Sequence, residues 1–205
     1  GDLYLFSEYN VCVNLGGFAN VSLKLNNSIK AWDICPVNYV LNKLTQEIGF
    51  NYDNNGDIAA SNEVNAQLLN KLNDLYYYKT SPPKSLAREW VFAEIWPILN
   101  NSTCSIEQKI TTITEHSAIQ IARSIPNNST ALFTGGGTFN SYLMSRIAFH
   151  NPFIEITIPN NKIIEFKEAL IFAFLGTLRM RGEINILASV TGATKDHSSG
   201  DIFTK

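Results

Sequence analysis

Three short stretches of this 205-residue chain carry residue types that can do chemistry. The first is Leu132-Phe133-Thr134-Gly135-Gly136-Gly137-Thr138-Phe139-Asn140, an apolar strand pattern running into three glycines and then a helical pattern. Glycine lets backbone amides approach a ligand closely, and the positive end of a following helix favours an anion. The second is Asn14-Leu15-Gly16-Gly17-Phe18-Ala19-Asn20, a glycine pair between two alternating runs. Successive N–H groups at such a corner can line a phosphate. The third is Asp33 in Trp32-Asp33-Ile34-Cys35-Pro36, a carboxylate at a strand end that can act as general base or orient metal-bound water. Each stretch also has an ordinary reading: a tight strand-to-helix turn, a hairpin with a glycine bulge, and a carboxylate at a helix N-terminus. The triple glycine lacks the G-x-G-x-x-G order of a dinucleotide site and the Lys-Ser/Thr of a P-loop.

Other chemistry is thinner. Glu168, beside an apolar run, reads by itself as a solvated face residue. His116, His150 and His197 have no cysteine or carboxylate at ligand spacing, so no metal site is expected. Trp90, Trp96, Tyr76, Tyr77 and Tyr78 can stack on a sugar or simply pack. Cys12, Cys35 and Cys104 are odd in number and widely spaced, which argues against a disulfide framework and a zinc site. With 16 Lys+Arg against 18 Asp+Glu there is no basic excess for nucleic acid. The most apolar stretch, residues 169–178, is about half the length of a membrane span. Apolar residues make up 45% of the chain, which excludes disorder and supplies a core. Charged residues are only 17%, and 23 asparagines supply part of the missing polarity.

The elements that must hold these residues follow from periodicity. Residues 10–25 alternate as two strands around Gly16-Gly17, and Asn26-Asn27 turns the chain into a third strand over 29–34. Pro36 suits the first turn of a helix whose apolar stripe is Val37, Val40, Leu41, Leu44 and Ile48. After a turn cluster at 51–56, Val64, Leu68, Leu69 and Leu72 mark a helix. Residues 81–85 form a stiff proline connection into an aromatic helix that stops near Pro97. Ser105 with Gln108 resembles a capping box for a long helix to about residue 125. A strand over 131–134, a helix from about 139, a strand over 154–158 and a helix over 165–180 complete one α/β domain with a mixed sheet. The antiparallel start argues against a Rossmann-like methyltransferase.

Taken together, the segments resemble the anhydro-N-acetylmuramic acid kinases, members of the actin/hexokinase/Hsp70-like ATPase superfamily. The family's N-I-G-G-I-A-N is similar to residues 14–20, and its Y-D-x-D-G-x-x-A-A-S to residues 52–61, with Asn55 replacing a common Asp. P-P-K-S-x-x-R-E is similar to residues 82–89, G-G-G-x-x-N to 135–140, E-A-x-x-F-A to 168–173, and S-V-T-G-A to 189–193. The resemblance implies an actin-like (ribonuclease H-like) fold with a mixed sheet flanked by helices. It implies ATP and Mg²⁺, and an amino-sugar substrate whose 1,6-anhydro ring is hydrolysed as O6 is phosphorylated. By the same resemblance Asp33 falls on the general base, and Glu168, Asn38 and Arg88 on the sugar side. Asn14, Gly16 and Gly17 would face phosphate; Gly135, Gly136, Gly137 and Asn140 would face the nucleoside. A cytoplasmic homodimer without membrane or nucleic-acid partners is expected. The family's opening G-T-S-L-D-G loop has no counterpart here, and the chain starts at Gly1 without Met. The expectation is therefore a second, C-terminal lobe over residues 1–205, lacking the first lobe and inactive alone. Where the family has D-T-G-P-G-N, residues 33–38 read Asp33-Ile34-Cys35-Pro36-Val37-Asn38. That puts bulk beside the base and leaves a non-catalytic nucleotide- or sugar-binding regulator of the same fold as the alternative.

Overall fold

The computed structural model describes residues 1–25 and 28–203; the expected Asn26-Asn27 turn lies outside the described residues. In chain order the elements are α1 (Asp2–Leu5), β1 (Val11–Leu15), β2 (Phe18–Leu25), β3 (Ser28–Pro36), α2 (Asn38–Glu47), α3 (Asp57–Ala60), α4 (Ala66–Asn73), α5 (Arg88–Trp90), α6 (Trp96–Asn100), α7 (Ile106–Arg123), β4 (Thr130–Thr134), α8 (Ser141–His150), β5 (Glu155–Thr157), α9 (Asn161–Met180) and α10 (Ala188–Thr191). The strands form one sheet in the order β3-β2-β1-β4-β5. β1 pairs antiparallel with β2 and β2 with β3, whereas β1–β4 and β4–β5 are parallel. The expected meander and mixed sheet are both present.

Alternation along β1 assigns the two faces of the sheet. Val11, Val13 and Leu15 enter the main core with Val21, Ala131 and Phe133, under residues of α2, α4, α7 and α8. Cys12 and Leu132 point the other way, against Phe6 and Ile163 of α9. A central strand covered on both sides reads as a continuous apolar run, which β1 and β4 do.

Several element ends differ from expectation. Pro36 ends β3 instead of opening a helix, and α2 starts at Asn38. The helix at Trp90 does not stop at Pro97: a π turn over Val91–Ile95 precedes the proline, which then sits in the first turn of α6 where its missing N–H is not needed. Helix α8 begins at Ser141 rather than 139, because Asn140 takes the capping position and accepts from the Leu143 N–H at 2.8 Å. Asn160 does the same for α9 through the Ile163 N–H at 3.1 Å, four residues before the expected start. Asn65 caps α4 in the same way, so part of the asparagine excess is spent on helix starts.

Helix α7 departs most from an amphipathic pattern. Its Ile110, Ile113, Ser117 and Ile121 recur at helical spacing and are buried, but so are Thr111, Thr112 and Thr114. The threonine hydroxyls donate to carbonyls one turn back, of Glu107, Gln108 and Ile110, which makes their burial tolerable. His116 is fully buried and hydrogen-bonds Asn73 at 2.7 Å; burial pulls its pKa down to about 3. The three histidines thus hold structural places, His150 among them on Glu115 and His197 beside the Lys195 carbonyl.

Glu115 joins α7 to α8. It accepts two hydrogen bonds from Arg146, at 2.7 and 2.8 Å, and pairs with His150 at 2.7 Å. Burial alone would raise its carboxyl pKa, but the bonds and charges of Arg146 and His150 outweigh it and hold the pKa below the usual range. A carboxylate with a lowered folded pKa stabilises above its unfolded pKa and loses that contribution as pH falls through the folded value. Glu115→Gln should therefore cost about 2 kcal/mol at pH 7 in urea denaturation, and the gap to the wild type should close below about pH 4.

Candidate functional site

The strand register builds a polar row. Asn14 lies opposite Asn20 on β2, Asn20 lies opposite Asp33 on β3, and Asn14 lies beside Thr134 on β4. Paired residues share a face, so Thr134, Asn14, Asn20 and Asp33 stand in one line across four strands, roughly 14 Å long at ordinary strand spacing. They lie on the Cys12 side of the sheet, opposite the main core. Asn20 and Thr134 were not among the expected site residues. The hairpin symmetry that pairs 14 with 20, and 20 with 33, is the signal that marks Asn20.

Two glycine turns flank the row. At residues 135–137 the N–H groups have no backbone partner among the described residues. Gly135 has φ +84°, and a Cβ there would stand 2.7 Å from the Leu15 carbonyl oxygen and 2.8 Å from Asn14 Oδ1. A Cβ on Gly137 would meet Leu15 Cβ at 2.7 Å, whereas one on Gly136 would meet nothing. The Gly16-Gly17 corner was expected to present successive amides, and it does so only in part. The Gly16 N–H donates to the Phe18 carbonyl at 3.3 Å, and among the described residues the Gly17 N–H has no backbone partner. Both glycine carbonyls turn towards the start of α2: Gly17 accepts from Val37 and Tyr39, at 2.9 and 3.1 Å, and Gly16 from Asn38 at 3.3 Å. Unpaired amides are therefore more plentiful at the triple glycine than at the hairpin.

At the other end of the row Asp33 is held by an irregular segment. Its N–H donates to the Lys84 carbonyl at 3.2 Å, and its Oδ2 accepts from the Leu86 N–H at 2.8 Å. Residues 84–86 thereby cover the outer edge of β3, which an uncapped edge strand needs. Oδ1 has no hydrogen-bond partner among the described residues, so one carboxylate oxygen is positioned and the other is free. The Tyr77 hydroxyl donates to the Asp33 carbonyl oxygen. Burial, with a smaller contribution from the Asp33 charge, pushes the Tyr77 phenol pKa up, so the phenol stays a donor. The Lys84 ammonium lies 4.4 Å from the Tyr77 ring centre and donates to its carbonyl at 2.9 Å; burial lowers its pKa. Lys84 is an addition to the expected set, and Tyr77, expected only as a stacking aromatic, instead serves through its hydroxyl.

The remaining expected residues divide. Asn38 sits at the hairpin, its side chain donating to the Leu15 carbonyl at 3.4 Å. Arg88 is exposed and lies 5.4 Å from the Tyr39 ring, which stacks on Phe18 next to the hairpin. Asn140 is buried behind the triple glycine. Glu168 is on an exposed position of α9, with no hydrogen bond to this cluster among the described residues. Tyr77 and Tyr78 pack with Trp90 at 5.3 and 6.1 Å, so of the aromatic candidates only Tyr77 reaches the row. Ile34, Cys35 and Val37 do not crowd Asp33: all three are buried in the main core, and Cys35 Sγ faces the Ser117 carbonyl at 3.9 Å. Burial raises the Cys35 thiol to about 12 and makes it unreactive.

Residues 5–205 match the protein family described as anhydro-N-acetylmuramic acid kinase. The chain belongs to that family. The anhydro-N-acetylmuramic acid kinase of Sulfurimonas denitrificans is 33% identical over 218 residues, covering 98% of this chain and 59% of its own. That of Thiobacillus denitrificans is 32% identical over 208 residues, covering 95% and 55%. The chain spans about half the length of the curated relatives it matches. Among solved structures, the (R)-2-hydroxyglutaryl-CoA dehydratase component A of Acidaminococcus fermentans aligns with a TM-score of 0.51 at 15% identity, over 81% of this chain and 60% of that one. This likeness shows a shared fold, the actin-like α/β architecture expected from the sequence. Among the described residues no three His, Cys, Asp or Glu side chains gather as a metal cluster, and no helix is long and apolar enough to cross a membrane.

The crowding at the triple glycine makes a differential prediction. Gly135→Ala places a Cβ at positive φ against the Leu15 carbonyl and should cost about 2 kcal/mol or more. Gly136→Ala, in open space, should stay within about 0.5 kcal/mol of the wild type in the same urea titration.

Proposed function

We propose that this chain is the part of a cytoplasmic anhydro-N-acetylmuramic acid kinase that holds ATP and the catalytic base. The observation that carries the reading is the row itself: a carboxylate with one free oxygen at one end, and three unpaired amides beside the other. Family membership supports the substrate, an amino sugar with a 1,6-anhydro bridge.

The chemistry follows from the groups present. Asp33 Oδ1 accepts a proton from water as the water oxygen attacks the anomeric carbon. The bond from that carbon to O6 breaks, O6 keeps the electron pair, and it attacks the γ-phosphorus of ATP as ADP leaves. The Leu86 N–H holds Oδ2, so the carboxylate cannot rotate away from the water. The Gly17 amide and the Asn14 side chain suit the phosphates of ATP, and the unpaired amides of Gly135, Gly136 and Gly137 suit its nucleoside end. Arg88, over the Tyr39 ring, and Lys84, beside Tyr77 at the Asp33 end, supply positive charge on the sugar side. A magnesium ion would arrive on the nucleotide phosphates and keep water as its other ligands. Asp33 Oδ2 is held by the Leu86 N–H, Oδ1 takes the water proton, and no cluster of three His, Cys, Asp or Glu lies among the described residues. When bound, that ion neutralises phosphate charge. Glu168 is assigned to the sugar side by the family motif alone.

The rival reading, a non-catalytic regulator, draws on Ile34, Cys35 and Val37. Their place in the main core, away from the carboxylate, favours the kinase.

The test is phosphate transfer from ATP to anhydro-N-acetylmuramic acid, by the protein at full family length and by the 205-residue chain. Turnover is expected only at full family length. Asp33→Asn there should lower kcat by about 10² to 10⁴ with ATP affinity unchanged. A variant retaining wild-type kcat would remove Asp33 from the mechanism, and relative-like turnover by the 205-residue chain would show that no further lobe is required.

A further inference from the structure

Residues 53–57 lie far from the triple glycine in sequence, yet they press on Asn140 and Tyr142, just beyond it at the start of α8. A Cβ on Gly56, at φ +81°, would stand 2.2 Å from Asn140 Oδ1 and 2.6 Å from Tyr142 Cβ. Tyr142 Cβ is fixed to the helix backbone, so the clash cannot be relieved by swinging one side chain. The neighbouring Asn55 has φ +56°, and Ser141 Oγ donates to the Asn55 carbonyl at 3.3 Å and contacts its Oδ1. Asp53 fixes this turn from behind. Its buried carboxylate accepts from the Ile58 and Ala59 N–H groups at 2.9 and 3.0 Å. Ala59 is tied in turn to α7, where Thr111 Oγ1 donates to its carbonyl at 3.0 Å.

We propose that the Asp53–Gly56 turn is a positioning element for the triple-glycine loop and acts on it through Asn140. The linkage is short. Asn140 N–H donates to the Gly137 carbonyl at 3.1 Å, and Asn140 Oδ1 accepts from the Leu143 N–H at 2.8 Å. One side chain therefore couples the loop that precedes α8 to the first turn of α8, and Gly56 sets how deep that side chain sits. A glycine in the left-handed region is the one residue that allows this approach without strain. Asp53, Gly56 and Ser141 are not themselves expected ligand positions; they act by holding Asn140, which is one. The consequence for ATP rests on the nucleotide reading of the loop given above.

The test separates the two. Amide hydrogen exchange is read at Thr138, Asn140 and Leu143, with ATP affinity measured on the same samples. Gly56→Ala should speed exchange at these three amides by about tenfold or more, with β1 and α7 amides still protected. Ser141→Ala, at an exposed position that leaves packing intact, should do so by about fivefold, and Ser141→Thr, which keeps the hydroxyl, should restore the wild-type rate. ATP affinity should fall in the two loosened variants and recover in Ser141→Thr. If Gly56→Ala does not fold, the Ser141 pair decides. Unchanged exchange at the three amides, or uniform acceleration across the molecule, overturns the proposal. Local loosening with ATP affinity unchanged, both there and in Asn140→Ala, upholds the positioning element and removes nucleotide binding from the loop.

Discussion

The carbonyl oxygen of Leu15, at the last residue of β1, is the crowded point around which this molecule is arranged. Gly135 and Gly137 approach it so closely that a Cβ on either would come within 2.7 and 3.0 Å of it, and Asn38 donates to it at 3.4 Å. The parallel pairing of β1 with β4 brings the two chains side by side, and the chain leaving β4 must cross the end of β1 to start α8. Without side chains at 135 and 137 that crossing is possible at van der Waals distance; with them the loop would lift off the sheet. The Asn14 side chain, the hairpin corner and the start of α2 are all neighbours of this same carbonyl. Loop, hairpin and helix α2 are thereby fixed relative to one another.

From that point the polar row follows as a matter of register. A one-residue slip of β2 against β1 would turn Asn20 into the main core and bury an unpaired amide, which the apolar face forbids. The same parity keeps Val13, Val21 and Phe133 on the core side. The core therefore sets the row, although none of the row belongs to it. The edge segment at residues 84–86 completes the arrangement by hydrogen-bonding both the backbone and the carboxylate of Asp33.

Much of this was legible in the sequence because it depends on local rules. Alternation over residues 10–25 and 29–34 specified the meander, and the glycine runs marked the two turns beside the polar row. What was not legible depends on tertiary surroundings. Helix α7 carries threonines where a surface helix would carry charges, and only its burial on several sides explains them. Pro97 signals a helix end locally, and the preceding π turn removes the conflict. Lys84 and Tyr77 come from segments without periodicity, and they reach Asp33 only because β3 is an edge. The exposed place of Glu168 on α9 illustrates the converse. A family motif can assign a residue to a site that the described contacts do not yet close.

The replacements after Asp33 show why side-chain direction outranks sequence distance at such a site. Residues 34, 35 and 37 are larger here than in the family motif, and adjacency suggests that they crowd the base. The strand carries Ile34 to the opposite face. The irregularity between Ala19 and Asn20 shifts the register, so that Cys35 pairs with Ala19 and enters the core rather than following Asp33. Val37 is buried at the start of α2. The added volume is absorbed against α7, where Cys35 meets the Ser117 carbonyl and Ser117 donates back to the Pro36 carbonyl at 3.2 Å. A chain that had lost selection on its carboxylate would have no need to keep it held by the Leu86 amide with its other oxygen open. Here the bulk has gone to the core, and the open oxygen of Asp33 has stayed on the polar face.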